Sequence, residues 1–164
     1  MKNFFKVFIC AAMIFSFSSA NVSAAVYMSD DDIPAFIAKC NQELKQADPN
    51  NNLDAPKISN VRKTYTETST IAEGIEVTVT YTTINDKMFG IEMKTAKDKY
   101  NDNVKAFFEG MGIVYLKALG LSESDARELI DTKSEKFISS LNKNFVAKSE
   151  DAALKIFATN PKQN

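Results

Sequence analysis

The amino-acid sequence predicts an α+β domain: an N-terminal helix, a three-stranded antiparallel β-meander, and two to three C-terminal helices packed on one sheet face. Three patterns predict this class. Apolar residues recur at helical spacing over 33–44, alternate with polar residues over 75–93, and return to helical spacing over 100–141. Each helix then has one apolar stripe and the sheet has one apolar face, so the stripes are expected to cover that face.

The first helix is predicted to begin at the acidic run Asp30-Asp31-Asp32, with Ser29 or one of these acids as its N-cap. These carboxylates can accept hydrogen bonds from the free N–H groups of the first turn and oppose the positive end of the helix dipole. Pro34 suits the first turn, and Asp48-Pro49 predicts the end of the helix.

The meander is predicted from a period of two that starts at Ile75. A turn at Asn85-Asp86-Lys87 brings apolar residues of adjacent strands together. It pairs Thr83 with Phe89, Tyr81 with Ile91, and Val79 with Met93.

An earlier strand, from about Ile58 to Thr70, is predicted to pair with the same strand through a turn at Glu73. This register pairs Tyr65 with Tyr81. It also places six threonines together on the polar face: Thr64, Thr66, Thr68, Thr78, Thr80 and Thr82.

The last third is predicted to be helical, with one helix ending near Gly120 and another starting at Ser122. The second stripe continues through Phe137 to Leu141, and a short final helix is predicted over 150–158. The order of a helix followed by a meander is similar to cystatin-like α+β folds, and this likeness of element order implies no function.

Residues 1–24 have the layout of a secretory signal peptide. Lys2 and Lys6 precede an apolar run from Phe8 to Phe17, and Val22-Ser23-Ala24 suits cleavage after Ala24. Cleavage after Ala20 or Ala25 is an alternative. The run is too short to span a bilayer, so we expect an exported protein, periplasmic or secreted, with no stable membrane anchor and a single domain over 25–164.

Composition excludes several classes of function. Without Lys2 and Lys6 the mature chain keeps 18 basic and 21 acidic residues, a net charge of −3, which disfavours nucleic acid as a partner. The chain has no His, which removes the commonest general base and zinc ligand. We therefore predict neither a cofactor nor a metal.

Motifs that suggest chemistry are weak. Cys40 lies in the apolar stripe of the first helix, where a buried thiol is the simpler interpretation. Ser140-Leu141-Asn142-Lys143 matches Ser-x-x-Lys without its partner motifs. Asp48 begins a series of oxygen ligands, but Leu53 stands where a calcium loop needs Gly.

The remaining expectation is a non-catalytic, inhibitor-like or envelope accessory protein that binds another protein through the threonine face or a strand edge. One alternative is a carrier of a small apolar ligand, held between sheet and helices beside Phe107, Phe108, Met111 and Tyr115. A carboxylate-based enzyme is the other, but Glu76 and Glu92 fall too far apart in the predicted register.

Overall fold

The computed structural model describes residues 25–50, 53, 57–59 and 64–161, so the predicted export segment lies outside the described residues. Within these ranges the chain forms three α-helices and an antiparallel sheet. The helices are α1 Ile33–Ala47, α2 Asp102–Ala118 and α3 Glu123–Thr132. The strands are β1 Ala25–Val26, β2 Lys57–Ser59, β3 Thr64–Ala72, β4 Ile75–Ile84, β5 Lys87–Lys94, β6 Glu135–Ile138, β7 Lys143–Glu150 and β8 Ala153–Thr159.

Six longer strands form the sheet in the order β3-β4-β5-β8-β7-β6. The short β2 extends the β3 edge, and the short β1 pairs with β8. The sheet therefore joins two meanders, β3-β4-β5 and β6-β7-β8, through antiparallel pairing of their last strands, β5 and β8. This strand order places β5, from the middle of the chain, next to β8 at the centre of the sheet.

The predicted pairing of the first meander is largely confirmed, but the strand predicted from about Ile58 to Thr70 is wrong at its start, where β2 is a separate strand that pairs with β3. Tyr65 lies opposite Tyr81, and the threonines pair as Thr64 with Thr82, Thr66 with Thr80, and Thr68 with Thr78. Tyr81 with Ile91 and Val79 with Met93 are also paired as expected.

One predicted pair is wrong. Thr83 lies opposite Met88 rather than Phe89, because the register shifts between Thr82 and Thr83. A β-bulge inserts one residue into one strand and leaves it without an opposite partner. The apolar side chain that becomes fully buried here is Met88.

The predicted fold class is wrong for the C-terminal part of the chain. The structure has α+β character, but it is not a three-stranded meander followed by two to three C-terminal helices. The helix predicted to run to Leu141 ends at Thr132, and residues 135–159 form β6, β7 and β8 instead of a helix over 150–158.

Backbone conformation explains where α3 ends. Lys133 adopts the left-handed conformation, with φ 50°, and its ammonium donates to the carbonyl of Ile130 and to Glu109. This interaction satisfies a carbonyl of the last turn, as cationic side chains at helix C-termini commonly do. α3 therefore ends at Thr132, after ten residues.

The β7–β8 turn has no conventional sequence signal. Asp151 and Ala152 both have positive φ, 46° and 59°, as a two-residue type I′ hairpin requires. Ala is rare in this conformation, and the preferred pairs contain Asn or Gly. The β4–β5 turn uses Asn85 and Asp86 with positive φ, and there the residue types predict the turn.

All three helices pack on one face of the sheet. They share one apolar core with β4, β5, β7 and β8, in which Phe36, Tyr81 and Tyr115 are fully buried. Asp32 caps α1 and Ser122 caps α3 as predicted, each accepting a hydrogen bond from a backbone N–H three residues on. No described helix combines the length and apolar character needed to cross a membrane.

The start of the described chain is held firmly in the fold. Tyr27 lies between two ammonium groups, with Lys87 Nζ 4.3 Å and Lys143 Nζ 4.2 Å from its ring centre. Met28 is buried, and its N–H donates to the carbonyl of Met88 at 2.6 Å. Cleavage after Ala24 would leave β1 whole, whereas cleavage after Ala25 would remove half of it.

Candidate functional site

The candidate site lies on the sheet face opposite the helices, which we call the open face. Alternation along β4 sends Val77, Val79 and Tyr81 into the core and the intervening threonines to this face. The three α-helices of the described chain pack on the other face. The open face is therefore the sheet surface on which a partner has access to side chains from several strands.

The six predicted threonines lie together on the open face. Thr68 is exposed, and Thr64, Thr66, Thr78, Thr80 and Thr82 are half-buried. Hydroxyls and methyls then form a grid of two columns and three rows, with strands about 4.8 Å apart. The predicted pairing is correct here, although the strands reach it through a two-residue turn at Glu73-Gly74 and a register shift between Thr70 and Ala72.

A groove of about 560 Å³ crosses the open face beside this grid. Thr78 and Thr80 of β4 and Glu92 and Lys94 of β5 share it, with Thr78 opposite Lys94 and Thr80 opposite Glu92. Its other walls come from Glu76 near the start of β4, Gly74 in the β3–β4 turn, and Thr95, Ala96 and Lys99 after β5. The volume is within the range of small-ligand sites, roughly 300–1,000 Å³.

Hydrogen bonds hold the far wall of the groove in place. The Thr95 hydroxyl donates to the carbonyl of Glu76 at 2.8 Å, and the Thr95 N–H donates to the carbonyl of Ala152 at 3.1 Å. Thr95 is buried, so it ties the segment after β5 to both β4 and the β7–β8 turn.

Ion pairs next to the groove engage some of its charges. Lys155 lies between Glu92, at 3.7 Å, and Glu150, at 3.2 Å. Lys97 pairs with Asp151 at 2.9 Å, and the hydrogen bond between them lowers the pKa of Asp151 and raises that of Lys97. All three ion pairs are solvent-accessible, so their contribution to stability is small.

The two groove carboxylates do not form a catalytic pair. Glu92 lies opposite Thr80, which is four residues from Glu76 along β4, or about 13 Å at 3.3 Å per residue. Paired carboxylates in glycosidases are about 5–9.5 Å apart. The structure places Glu76 and Glu92 in one groove but not within reach of a shared bond.

The open face becomes apolar toward β7. Val146 and Phe157 are neighbours across the β7–β8 pair, and each is buried without belonging to the core beneath the helices. Lys148 Nζ lies 5.8 Å from the centre of the Phe157 ring. The sequence analysis missed this region because it interpreted Leu154 and Phe157 as one helical stripe, whereas three residues along a strand place them on opposite faces.

The residues proposed for an apolar pocket form part of the packed core. Phe108, Met111 and Tyr115 are buried, and Phe107 is half-buried against the same cluster. A Cβ atom at the adjacent Gly112 would lie 2.7 Å from Ile130 Cδ1. The groove is on the other side of the sheet, so none of these four residues contributes to it.

A buried polar cluster lies between α1, α2 and the sheet. The Tyr81 hydroxyl donates to Glu67 Oε1 at 3.2 Å and lies 3.2 Å from the Tyr115 hydroxyl. Burial raises the pKa of both phenols. Burial, together with the nearby Glu67 and Glu43 carboxylates, also raises the pKa of the Cys40 thiol, so the thiol is protonated at neutral pH.

Cys40 is expected to be unreactive in the folded protein. Its side chain is 0 % exposed and its thiol is protonated, and only an accessible thiolate reacts readily. In a chain beginning at Ala25, maleimide labelling should be at least about a hundredfold slower in buffer than in guanidinium chloride. We expect Cys40→Ser to lower the free energy of unfolding by about 1–3 kcal/mol, because it buries a hydroxyl in an apolar site.

A matched control places the thiol on the surface. Ser124→Cys on the exposed side of α3, in the Cys40→Ser background, should label rapidly in the folded state. Rapid labelling of native Cys40 would show that the first helix opens readily, contrary to this prediction.

Within the described ranges, no group of three or more Cys, Asp and Glu side chains is arranged to hold a metal ion. The comparisons with known proteins add no function: no family model, curated protein or solved structure matches this chain.

Proposed function

We propose that this chain is an exported, non-catalytic binding protein that contacts another protein through the open face. The observation that carries the proposal is the groove beside the threonine grid, on a sheet face that the described helices leave uncovered. Hydroxyl, carboxylate and ammonium groups converge there, as specific binding sites require. The signal-peptide pattern of residues 1–24 supports export.

Two features favour binding over the alternatives. The Cys40 thiol and the Tyr81 and Tyr115 phenols are buried and protonated, which makes them poor nucleophiles and bases. The carrier alternative, with a ligand beside Phe107, Phe108, Met111 and Tyr115, would require the packed core to open. The uncovered face requires no such change.

Thr80→Arg tests the proposal. Thr80 is half-buried at the groove floor, so a long cationic side chain would fill the groove while the fold is retained. Chains beginning at Ala25 would be crosslinked to exported proteins of the source cell. A partner that uses the open face should be captured at least about tenfold less by Thr80→Arg.

The matched control is Ala106→Arg, which adds the same side chain at an exposed position of α2. It should capture the same partner as the wild-type chain. Equal capture by Thr80→Arg and wild type, or a loss in Ala106→Arg instead, would move the interface away from the open face.

A further inference from the structure

Charged side chains occupy successive open-face positions of β4 and β5 in the groove, two residues apart along the strand direction. Glu92 and Lys94 are successive open-face residues of β5, and Glu76 lies beyond Thr78 on the neighbouring strand. Along the strand direction, the groove thus offers a carboxylate, an ammonium and a second carboxylate, about 6–7 Å from one to the next. Lys99 also lines the groove.

Several of these charges form no close ion pair, although the Lys94 ammonium lies near enough to Asp151 to lower the pKa of that carboxylate. Among the described residues, Glu76, Lys94 and Lys99 form no salt bridge, and all three are exposed. Glu92 is only loosely held by Lys155, at 3.7 Å. Charged groups that the fold does not pair are available to a ligand of complementary charge.

Backbone pairing is not available at this site. β4 lies between β3 and β5, and β5 lies between β4 and β8, so both strands already use their backbone hydrogen bonds in the sheet. A partner cannot bind here by adding a strand. It must be recognised by the side chains of the open face.

We propose, building on the proposed function, that the groove binds an extended peptide segment whose same-face side chains alternate between basic and acidic. Such side chains repeat every two residues, about 6.6 Å apart. This repeat matches the spacing of Glu92, Lys94 and Glu76 measured along the strand direction. The Thr78 and Thr80 hydroxyls can donate to and accept from the peptide amides between them. A polyanion such as an acidic polysaccharide fits less well, because Glu76 and Glu92 repel it.

The test uses a blocked synthetic peptide, Thr-Lys-Thr-Glu-Thr-Lys-Thr, titrated into the ¹⁵N-labelled chain beginning at Ala25. We expect amide shift changes confined to the groove residues, and binding that weakens as salt is raised. A peptide with both lysines replaced by glutamate, and polygalacturonate, should bind at least about fivefold more weakly.

Charge reversal at Lys94 tests whether its ammonium contacts the central Glu of the peptide. Lys94→Glu should weaken binding of the alternating peptide about fivefold, and should strengthen binding of a peptide in which the central Glu is replaced by Lys. Lys105→Glu, at an exposed position of α2, should change neither. Shifts elsewhere in the protein, no shifts at millimolar peptide, or tighter binding of polygalacturonate would each overturn the inference.

These outcomes separate the inference from the proposed function. If Thr80→Arg loses a captured partner but the alternating peptide does not bind, the open face is an interface and the charge pattern is not its determinant. If Thr80→Arg retains the partner as well, both proposals fail.

Discussion

Replacement of Phe36 by alanine is expected to lower the free energy of unfolding by about 3–5 kcal/mol. Phe36 is fully buried, and its ring centre lies 6.0 Å from those of Tyr81 and Tyr115. The three rings come from α1, β4 and α2 and contact one another, so removing the Phe36 ring leaves a cavity at the junction of two helices and the sheet. None of these elements can move inward without disturbing the other two.

Urea denaturation followed by circular dichroism measures this effect in chains beginning at Ala25. Domains of this size have unfolding free energies of about 5–15 kcal/mol, so the loss is a large fraction of the total. Phe36→Leu should lower the free energy of unfolding by less, and it is the variant to measure if Phe36→Ala does not fold. Phe137→Ala is the matched control, since that ring is 49 % exposed and its loss should cost under about 1 kcal/mol.

Gly112→Val is expected to lower the free energy of unfolding by about 1–3 kcal/mol, whereas Gly110→Val should change it by less than about 0.5 kcal/mol. Both glycines lie in α2, two residues apart. A Cβ at position 112 would be 2.7 Å from Ile130 Cδ1 and 3.1 Å from Leu154 Cδ2. A Cβ at position 110 would have no neighbour within 4 Å.

The comparison separates packing from helix propensity, because the same substitution has the same intrinsic effect at both positions. Urea midpoints of the two variants measured side by side give the difference. Equal destabilisation would mean that α3 and β8 do not pack closely on α2. Gly112 thus has a packing explanation, whereas at Gly110 we find no structural reason for glycine.

Sequence periodicity predicted the first half of the chain well, because the relevant interactions are local. Asp32 and Pro34 mark the start of α1, and the alternation after Ile75 marks β4. The turns at Gly74 and at Asn85-Asp86 have residue types that favour positive φ. In both hairpins a register shift lies between the turn and the predicted pairs, so the six threonines pair as expected only because the apolar and polar faces select that register.

The second meander was not predictable by the same means. β8 is central, and six of its seven residues are buried, so the alternation that marks a half-buried strand is absent. A short apolar run of this kind fits a helix as well as a strand. Asn142 and Asp151 are residue types that tolerate positive φ, but both lie in segments that were interpreted as helical, and Ala152 is rarely found in that conformation.

The sequence by itself determined the α+β class, the caps of α1 and α3, and the face on which the threonines lie, since each depends on spacing or turn chemistry within a few residues. Only the tertiary structure decided that β8 joins β5 at the sheet centre and that Thr95 and Lys99 enclose a groove with Thr78 and Thr80. β5 and β8 are some sixty residues apart in the chain. Their pairing is selected by burial of apolar side chains beneath α2 and α3, and no local pattern encodes it.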